Sequence, residues 1–100
     1  MRIKPSAVIL DGCVLGLLER QDCYGYELTK QVQESISISV STLYPVLRRL
    51  KRKHFLTTYD RSYQGRNRRY YQITPAGQRQ LELIRQVWQQ FECGINEMLE

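Results

Sequence analysis

The most informative stretch of the chain is residues 41–53, which reads STLYPVLRRLKRK. Four apolar residues recur in it at intervals of three and four: Leu43, Val46, Leu47 and Leu50. This spacing places side chains on one face of a helix. Because Pro45 is tolerated best in a first helical turn, we expect the helix to begin with Ser41 as its N-cap. The opposite face carries hydroxyl and basic side chains: Thr42, Tyr44, Arg48, Arg49, Lys51 and Arg52.

The segments before this stretch predict two more helices. Residues 6–19 are apolar on nearly every side of a helix, which indicates burial by both the chain's own domain and a partner chain. Residues 23–32 have an apolar face at helical spacing, and Asp22 precedes them as the expected N-cap. Residues 35–40, SISISV, alternate with period two and predict a short strand or an extended link.

The segments after it predict a hairpin and a final helix. Residues 55–63 and 68–73 are rich in Thr and Tyr and flank a turn at Gly65, which is typical of a β-hairpin. Thr74 and Pro75 are a good cap and first residue for a helix that we expect over residues 75–99. Its apolar residues follow an a/d heptad spacing: Leu81, Ile84, Trp88, Phe91, Ile95 and Met98.

These elements together predict a mainly α fold of the α+β winged-helix type. It is a winged helix-turn-helix with a two-stranded β wing and a long C-terminal dimerisation helix. We expect residues 1–74 to form a DNA-binding domain and residues 75–100 to form the dimerisation helix, packed against the helix predicted over residues 6–19. A 100-residue monomer cannot easily bury such a seam, so we expect a homodimer. The predicted interface residues are Leu10, Val14, Leu81, Ile84, Trp88, Phe91, Ile95 and Met98.

The positive charge is local. Nine basic residues and one acid lie between residues 48 and 71, giving +8, while the rest of the chain carries −3. A basic patch on a helix-turn-helix predicts double-stranded DNA as partner, in the form of a pseudo-palindromic operator. Tyr24 and Tyr44 could instead be packing residues, since tyrosine often buries its ring. The predicted DNA contacts are Tyr24, Ser41, Thr42, Tyr44, Arg48, Arg49, Arg52, Gln64, Arg66, Asn67 and Arg68.

Other classes of protein have little support in the sequence. The chain has three separated cysteines and one histidine, from which we expect reduced thiols, no metal site and no cofactor. The sequence shows no nucleophile paired with a base, so it does not suggest an enzyme. No stretch has the length of a membrane span and residues 1–6 lack a signal-peptide run, so we expect a cytoplasmic protein. The alternative function is a winged-helix module that binds protein or RNA without an effector site, although no aromatic platform for RNA is evident.

Three segments resemble the PadR family of transcriptional regulators: residues 24–28 (YGYEL), 42–50 (TLYPVLRRL) and 70–77 (YYQITPAG). The resemblance implies a winged-helix dimer that represses genes and that can be released from DNA by a small effector. It also implies that the C-terminal helix packs with the helix over residues 6–19 to build the dimer. With its single C-terminal helix, the chain resembles the short branch of the family.

Multidrug sensors in that branch place a helix tryptophan at the dimer centre, where it stacks on planar drugs. Trp88 stands fourteen residues after Thr74, at the corresponding place. The resemblance therefore implies a small aromatic or drug-like effector held by Trp88, Phe91 and Leu15. The alternative is that Trp88 only fills the dimer seam.

Overall fold

A computed structural model describes residues 5–100. The first four residues, which the sequence analysis assigned to the DNA-binding domain, lie outside that range. The elements are α1 (Ala7–Arg20), β1 (Cys23–Tyr24), α2 (Gly25–Ser35), α3 (Val40–Arg52), β2 (Leu56–Tyr63), β3 (Arg66–Ile73) and α4 (Pro75–Leu99). The strands form one antiparallel sheet in the order β1-β3-β2. The predicted winged-helix fold is confirmed, with four helices and a small sheet.

The wing is the hairpin of β2 and β3, paired from Leu56 with Ile73 to Tyr63 with Arg66. Its turn has two residues, Gln64 and Gly65, whose φ values are +50° and +77°. Positive φ at both positions matches the twist of a tight antiparallel hairpin, and glycine adopts it without strain. The turn at Gly65 is therefore where the sequence predicted it, but β3 begins two residues earlier than expected, at Arg66.

Of the two alternatives expected for residues 35–40, a short strand or an extended link, the structure has the link, and the third strand lies elsewhere. Residues 36–39 run as an extended link, and the strand is Cys23–Tyr24, which pairs with Tyr71 and Tyr70 of β3. Consequently α2 begins at Gly25 with Tyr24 as its N-cap, so the expected cap at Asp22 is wrong. Period-two alternation predicts an extended backbone, but a strand also needs an edge to pair with, and β3 offers its edge to Cys23–Tyr24.

The start of α3 also differs from the prediction. Its N-cap is Ser39, whose hydroxyl accepts a hydrogen bond from the Thr42 N–H at 3.2 Å, so the predicted cap at Ser41 is wrong. Pro45 therefore lies in the second turn, where it cannot donate the helical hydrogen bond to the Ser41 carbonyl. Helix α3 accommodates the proline because its leucine face is packed in the core.

The end of α3 is fixed by backbone hydrogen bonds. The N–H of Phe55 donates to the Leu50 carbonyl and that of His54 donates to the Lys51 carbonyl, each at 3.0 Å. This is a Schellman arrangement, which places His54 in the left-handed region at φ +63°. The chain can then reverse directly into β2.

The hydrophobic core lies between α1, α2, α3, the inner face of the sheet and the first half of α4. Thr74 caps α4 as predicted, since its hydroxyl accepts from the Gly77 N–H at 3.0 Å. A Cβ at Gly77 would overlap the Phe55 carbonyl oxygen, so only glycine lets α4 start this close to the end of α3. Leu81 and Ile84 then hold α4 against the core.

Candidate nucleic-acid interface

Helix α3 separates apolar from basic side chains. Leu43, Val46, Leu47 and Leu50 are all buried, as their spacing predicts. The exposed side of the helix carries five of the predicted DNA contacts: Ser41, Thr42, Tyr44, Arg48 and Arg52. Polar and basic groups on this side can reach a ligand without disturbing the core.

Arg49, also predicted to contact DNA, does not lie on the exposed side of α3. Its guanidinium forms an ion pair with Asp11 of α1, and both side chains are largely buried. The expectation that Arg49 is free to bind DNA therefore does not fit the structure. Arg49 lies beside the leucine face, where α1 packs on α3, and no local pattern in the sequence indicates that Asp11 faces it there.

The wing tip presents three of the predicted contacts, Gln64, Arg66 and Asn67, all exposed. Strand alternation divides the rest of the hairpin into two faces. The inner face continues from buried Leu56 through Tyr71 to Arg69, which pairs with Asp60 at 3.4 Å.

The inner face of the wing adjoins α3. Burial raises the pKa of Tyr71, and the nearby Tyr44 of α3 raises it further, while Arg69 lowers it. Arg69 is thus on the side of the wing that continues from α3, although the sequence analysis did not include it among the contacts. Counting by two from the core residue Ile73 would have identified this position.

The outer face of the wing is aromatic and basic. The rings of Tyr24, Tyr70 and Tyr59 form a row across the three strands, with centroids 5.9 Å and 5.5 Å apart. The guanidinium groups of Arg61 and Arg68 lie over these rings. Tyr24 and Arg68, both predicted DNA contacts, therefore lie on the opposite side of the sheet from α3. The row could not be seen in the sequence because its members come from three strands, and Cys23–Tyr24 was not predicted to be one of them.

The residues predicted for the dimer interface fall into two groups. Leu10, Val14, Leu81 and Ile84 are buried in the chain's own core, so their burial needs no partner, contrary to that expectation. In the second half of α4, Trp88, Phe91 and Met98 are exposed and Ile95 is partly exposed. The rings of Trp88 and Phe91 lie together, 5.9 Å between centroids.

A pocket of about 360 Å³ lies between α1 and α4 and includes Trp88. Small residues of α1 open it, and apolar residues of α4 form its other side: the lining is Ile9, Gly12, Cys13, Gly16, Ile36, Leu81, Ile84, Arg85 and Trp88. Of the three residues predicted to hold an effector, Trp88 lines this pocket. Leu15 is fully buried in the core instead, so it cannot line an open site, and Phe91 lies outside the lining beside Trp88.

The ionisable groups at and beside the pocket have shifted pKa values. Arg85 donates to Glu19 at 2.8 Å, and this hydrogen bond lowers the pKa of the Glu19 carboxyl. Burial raises the pKa of the Cys13 thiol, so the thiol stays protonated at neutral pH and is a weak nucleophile. The pocket is therefore suited to apolar ligands rather than to covalent chemistry at its cysteine.

Neither a metal cluster nor a membrane-spanning helix occurs in residues 5–100. Within that range, His, Cys, Asp and Glu side chains nowhere gather in a group of three that could hold a metal ion. The helices of the same range are all too short or too polar to cross a membrane.

Comparison with known proteins gives consistent matches. A protein from Lysinibacillus sphaericus, called only uncharacterized protein X, is 31% identical over 96 residues, covering 91% of this chain and 88% of that protein. A crystal structure from Streptococcus mutans UA159 superposes with a TM-score of 0.91 at 31% identity, covering 99% of this chain and 93% of that one.

Two further similar structures carry a family name. One is a PadR family transcription regulator from Clostridium difficile R20291, with a TM-score of 0.83 at 33% identity, covering 91% of this chain and 98% of that one. The other is a PadR-like transcriptional regulator from Bacillus cereus, with a TM-score of 0.84 at 29% identity, covering 92% of each chain. The family model of PadR-like transcriptional regulators matches residues 14–83. The chain belongs to the PadR-like family of transcriptional regulators.

Proposed function

We propose that this chain is a homodimeric, sequence-specific DNA-binding repressor that reads a pseudo-palindromic operator. The observation that carries the proposal is the division of α3 into a buried leucine face and an exposed side bearing Arg48 and Arg52. A helix about 10–12 Å across fits the major groove, which is about 12 Å wide. Helix α3 can therefore enter the groove while its leucines remain packed.

The contacts divide by chemistry. Arg48 and Arg52 offer planar guanidinium forks that can bind guanine or phosphate, and Arg48 is not held by an ion pair among the described residues. Ser41, Thr42 and Tyr44 lie in the first turns of α3, where they would meet base edges or phosphates. The wing tip, with Gln64, Arg66 and Asn67, would reach the adjacent backbone or minor groove.

A second copy would complete the molecule. Trp88, Phe91 and Met98 leave an apolar surface on a helix end, which is the kind of surface that oligomers bury. In this proposal residues 1–74 form the DNA-binding domain and residues 75–100 form the dimerisation helix, joined to α1 by Leu81 and Ile84. Two copies would place two α3 helices in grooves about 10 bp apart or a small multiple of that.

The binding test uses a duplex selected from a random pool by the protein itself. We expect Arg48→Gln to weaken binding by about 1–3 kcal/mol if this arginine binds a base edge, and to reduce the salt slope by about one if it binds a phosphate. The matched control is Arg79→Gln, an exposed arginine of α4 that removes the same charge away from α3. Fluorescence anisotropy at several salt concentrations gives both quantities, and an Arg48→Gln variant that binds like the wild type contradicts the proposal.

A separate experiment distinguishes repression from activation. A reporter gene placed downstream of the selected duplex should fall in expression when the protein is produced, because a dimer on the operator obstructs transcription. Increased expression would assign the chain as an activator.

A small aromatic effector is the final part of the proposal. The pocket between α1 and α4 is apolar, is large enough for a small ring system and contains Trp88, the single tryptophan. Planar aromatic compounds should quench its fluorescence and weaken DNA binding in proportion. If no compound in a broad panel quenches it, Trp88 is a packing residue of the dimer seam.

A further inference from the structure

The outer wing face is a basic surface that, apart from Arg66 at the wing tip, the proposed reading of the operator does not use. We define it by the aromatic and basic residues that strand pairing places opposite the core side: Tyr24, Tyr59, Arg61, Tyr63, Arg66, Arg68 and Tyr70. The face combines four tyrosines with three arginines, and strand pairing places Arg61 opposite Arg68 and Tyr59 opposite Tyr70. The face looks away from α3, so the groove that α3 enters does not account for it.

The two central arginines of this face are held by aromatic rings. The guanidinium carbon of Arg68 lies 4.4 Å from the ring centre of Tyr24 and 4.0 Å from that of Tyr63. That of Arg61 lies 5.3 Å from Tyr70 and 6.0 Å from Tyr59. A guanidinium over a ring uses its face for the contact, which leaves N–H groups at its edge free to donate.

The rings are themselves fixed. Tyr59 and Tyr70 are stacked 8° from parallel, and the Tyr59 hydroxyl donates to Asp22 at 2.6 Å. Gln72 donates to the same carboxylate at 3.2 Å. Because the arginines rest on an ordered layer, part of the entropy cost of fixing them for a ligand is already met in the fold.

The charge of the face favours a polyanion. Within residues 5–100, neither Arg61 nor Arg68 takes part in an ion pair, whereas Arg49, Arg69 and Arg85 each have a carboxylate partner. The acid at the base of the face, Asp22, already accepts two hydrogen bonds. Unpaired guanidinium groups with free donors match phosphate oxygens, which take two parallel N–H bonds.

The geometry points to a second phosphate-binding surface: the outer wing face holds the sugar-phosphate backbone of duplex DNA that flanks the operator. This inference rests on the proposed DNA-binding function and extends it. Flanking duplex that bends toward the protein would meet Arg61 and Arg68 after the wing tip. The protein should therefore bind an operator with long flanks more tightly than the bare operator, and the gain should be salt-dependent.

The test compares two duplexes: the selected operator alone, and the same operator with mixed-sequence flanks at both ends. Wild-type protein should bind the flanked duplex at least several-fold more tightly. In the double variant Arg61→Gln, Arg68→Gln that gain should disappear, and the salt slope on the flanked duplex should fall by about 0.9 for each phosphate that is no longer neutralised. Binding to the bare operator should fall much less than it does in Arg48→Gln, because α3 and the wing-tip residues Gln64, Arg66 and Asn67 are untouched.

Two further variants separate a positioned contact from general charge. Arg20→Gln with Arg79→Gln removes the same charge from exposed positions outside the sheet and α3, and should keep the gain from flanks. Tyr63→Leu keeps every charge but removes a ring beside Arg68, and should reduce the gain. Circular dichroism confirms that each variant is folded.

The outcomes distinguish this inference from the function on which it rests. If wild-type protein gains nothing from flanks, or the double variant keeps the gain, the outer wing face does not bind duplex backbone. If single-stranded RNA competes for it better than duplex DNA, the ligand is RNA and the inference is wrong. If wild-type protein binds no duplex, or if Arg48→Gln binds the bare operator as tightly as the wild type does, the proposed function itself fails.

Discussion

Helices α3 and α4 carry the same kind of apolar spacing, yet the fold treats them differently. On α3, Leu43 and Leu50 are 2% and 0% exposed, so the chain covers the whole stripe. On α4 the stripe begins in the core at Leu81 but continues to Phe91 at 59% and Met98 at 75% exposed. We call the stripe on α3 closed, because the chain itself covers it, and the stripe on α4 open, because its second half is exposed.

The difference shows how periodicity should be interpreted. Spacing of three and four tells which side of a helix is apolar, but the partner that covers that side depends on what the rest of the chain can reach. Helix α4 has 25 residues and is about 37 Å long, so its second half extends beyond the small core. The stripe on α3 holds the domain together, while the second half of the stripe on α4 is left exposed by this chain.

The largest expected effect breaks the closed stripe. Leu50→Ala should lower the free energy of unfolding by about 2–5 kcal/mol, because it leaves a cavity where α3 meets α1 and the sheet. Urea denaturation followed by circular dichroism measures this decrease. The decrease should be similar at low and high protein concentration, since Leu50 contributes to the chain's own core. A change well below 1 kcal/mol would mean that α3 is not packed through this face.

An intermediate effect breaks the open stripe. Phe91→Ala should raise the dimer dissociation constant by about 30-fold or more, corresponding to about 2 kcal/mol for a buried aromatic at an interface. Size-exclusion chromatography over a dilution series measures it, with Gln90→Ala, one position away and off the heptad stripe, as control. Equal dissociation constants for both variants would place the interface elsewhere.

The smallest expected effect concerns the end of α3 and should leave the exposed half of α4 unchanged. His54 ends α3 at φ +63°, a conformation that glycine adopts with less strain. His54→Gly should therefore stabilise the fold by up to about 1 kcal/mol and leave the dimer dissociation constant unchanged. Thermal denaturation provides the measurement, and a clear decrease in stability would show that the His54 side chain contributes more than its backbone strain costs.

Local patterns predicted much of this structure. The leucine face of α3, the hairpin with its turn at Gly65 and the Thr74 cap of α4 all depend on residues close together in the chain. Two of the differences from the prediction have non-local causes. The strand at Cys23–Tyr24 exists because β3 offers an edge, and Arg49 is unavailable because Asp11 faces it from α1.

The site residues follow the same division. Exposure of Arg48 could be predicted because it follows from helical spacing on α3 itself. The row of rings on the outer wing face could not be found without knowing that three strands bring Tyr24, Tyr59 and Tyr70 together. The burial of Leu10 and Val14 within one chain likewise depends on where α4 docks.

The central claim is that the open half of α4 is closed by a second copy, which sets two α3 helices on one face of the DNA. Sedimentation equilibrium of the wild-type protein without DNA tests it most directly. We expect a mass twice that of the 11.9 kDa chain at micromolar concentration. A single species at the mass of one chain across that range would contradict it.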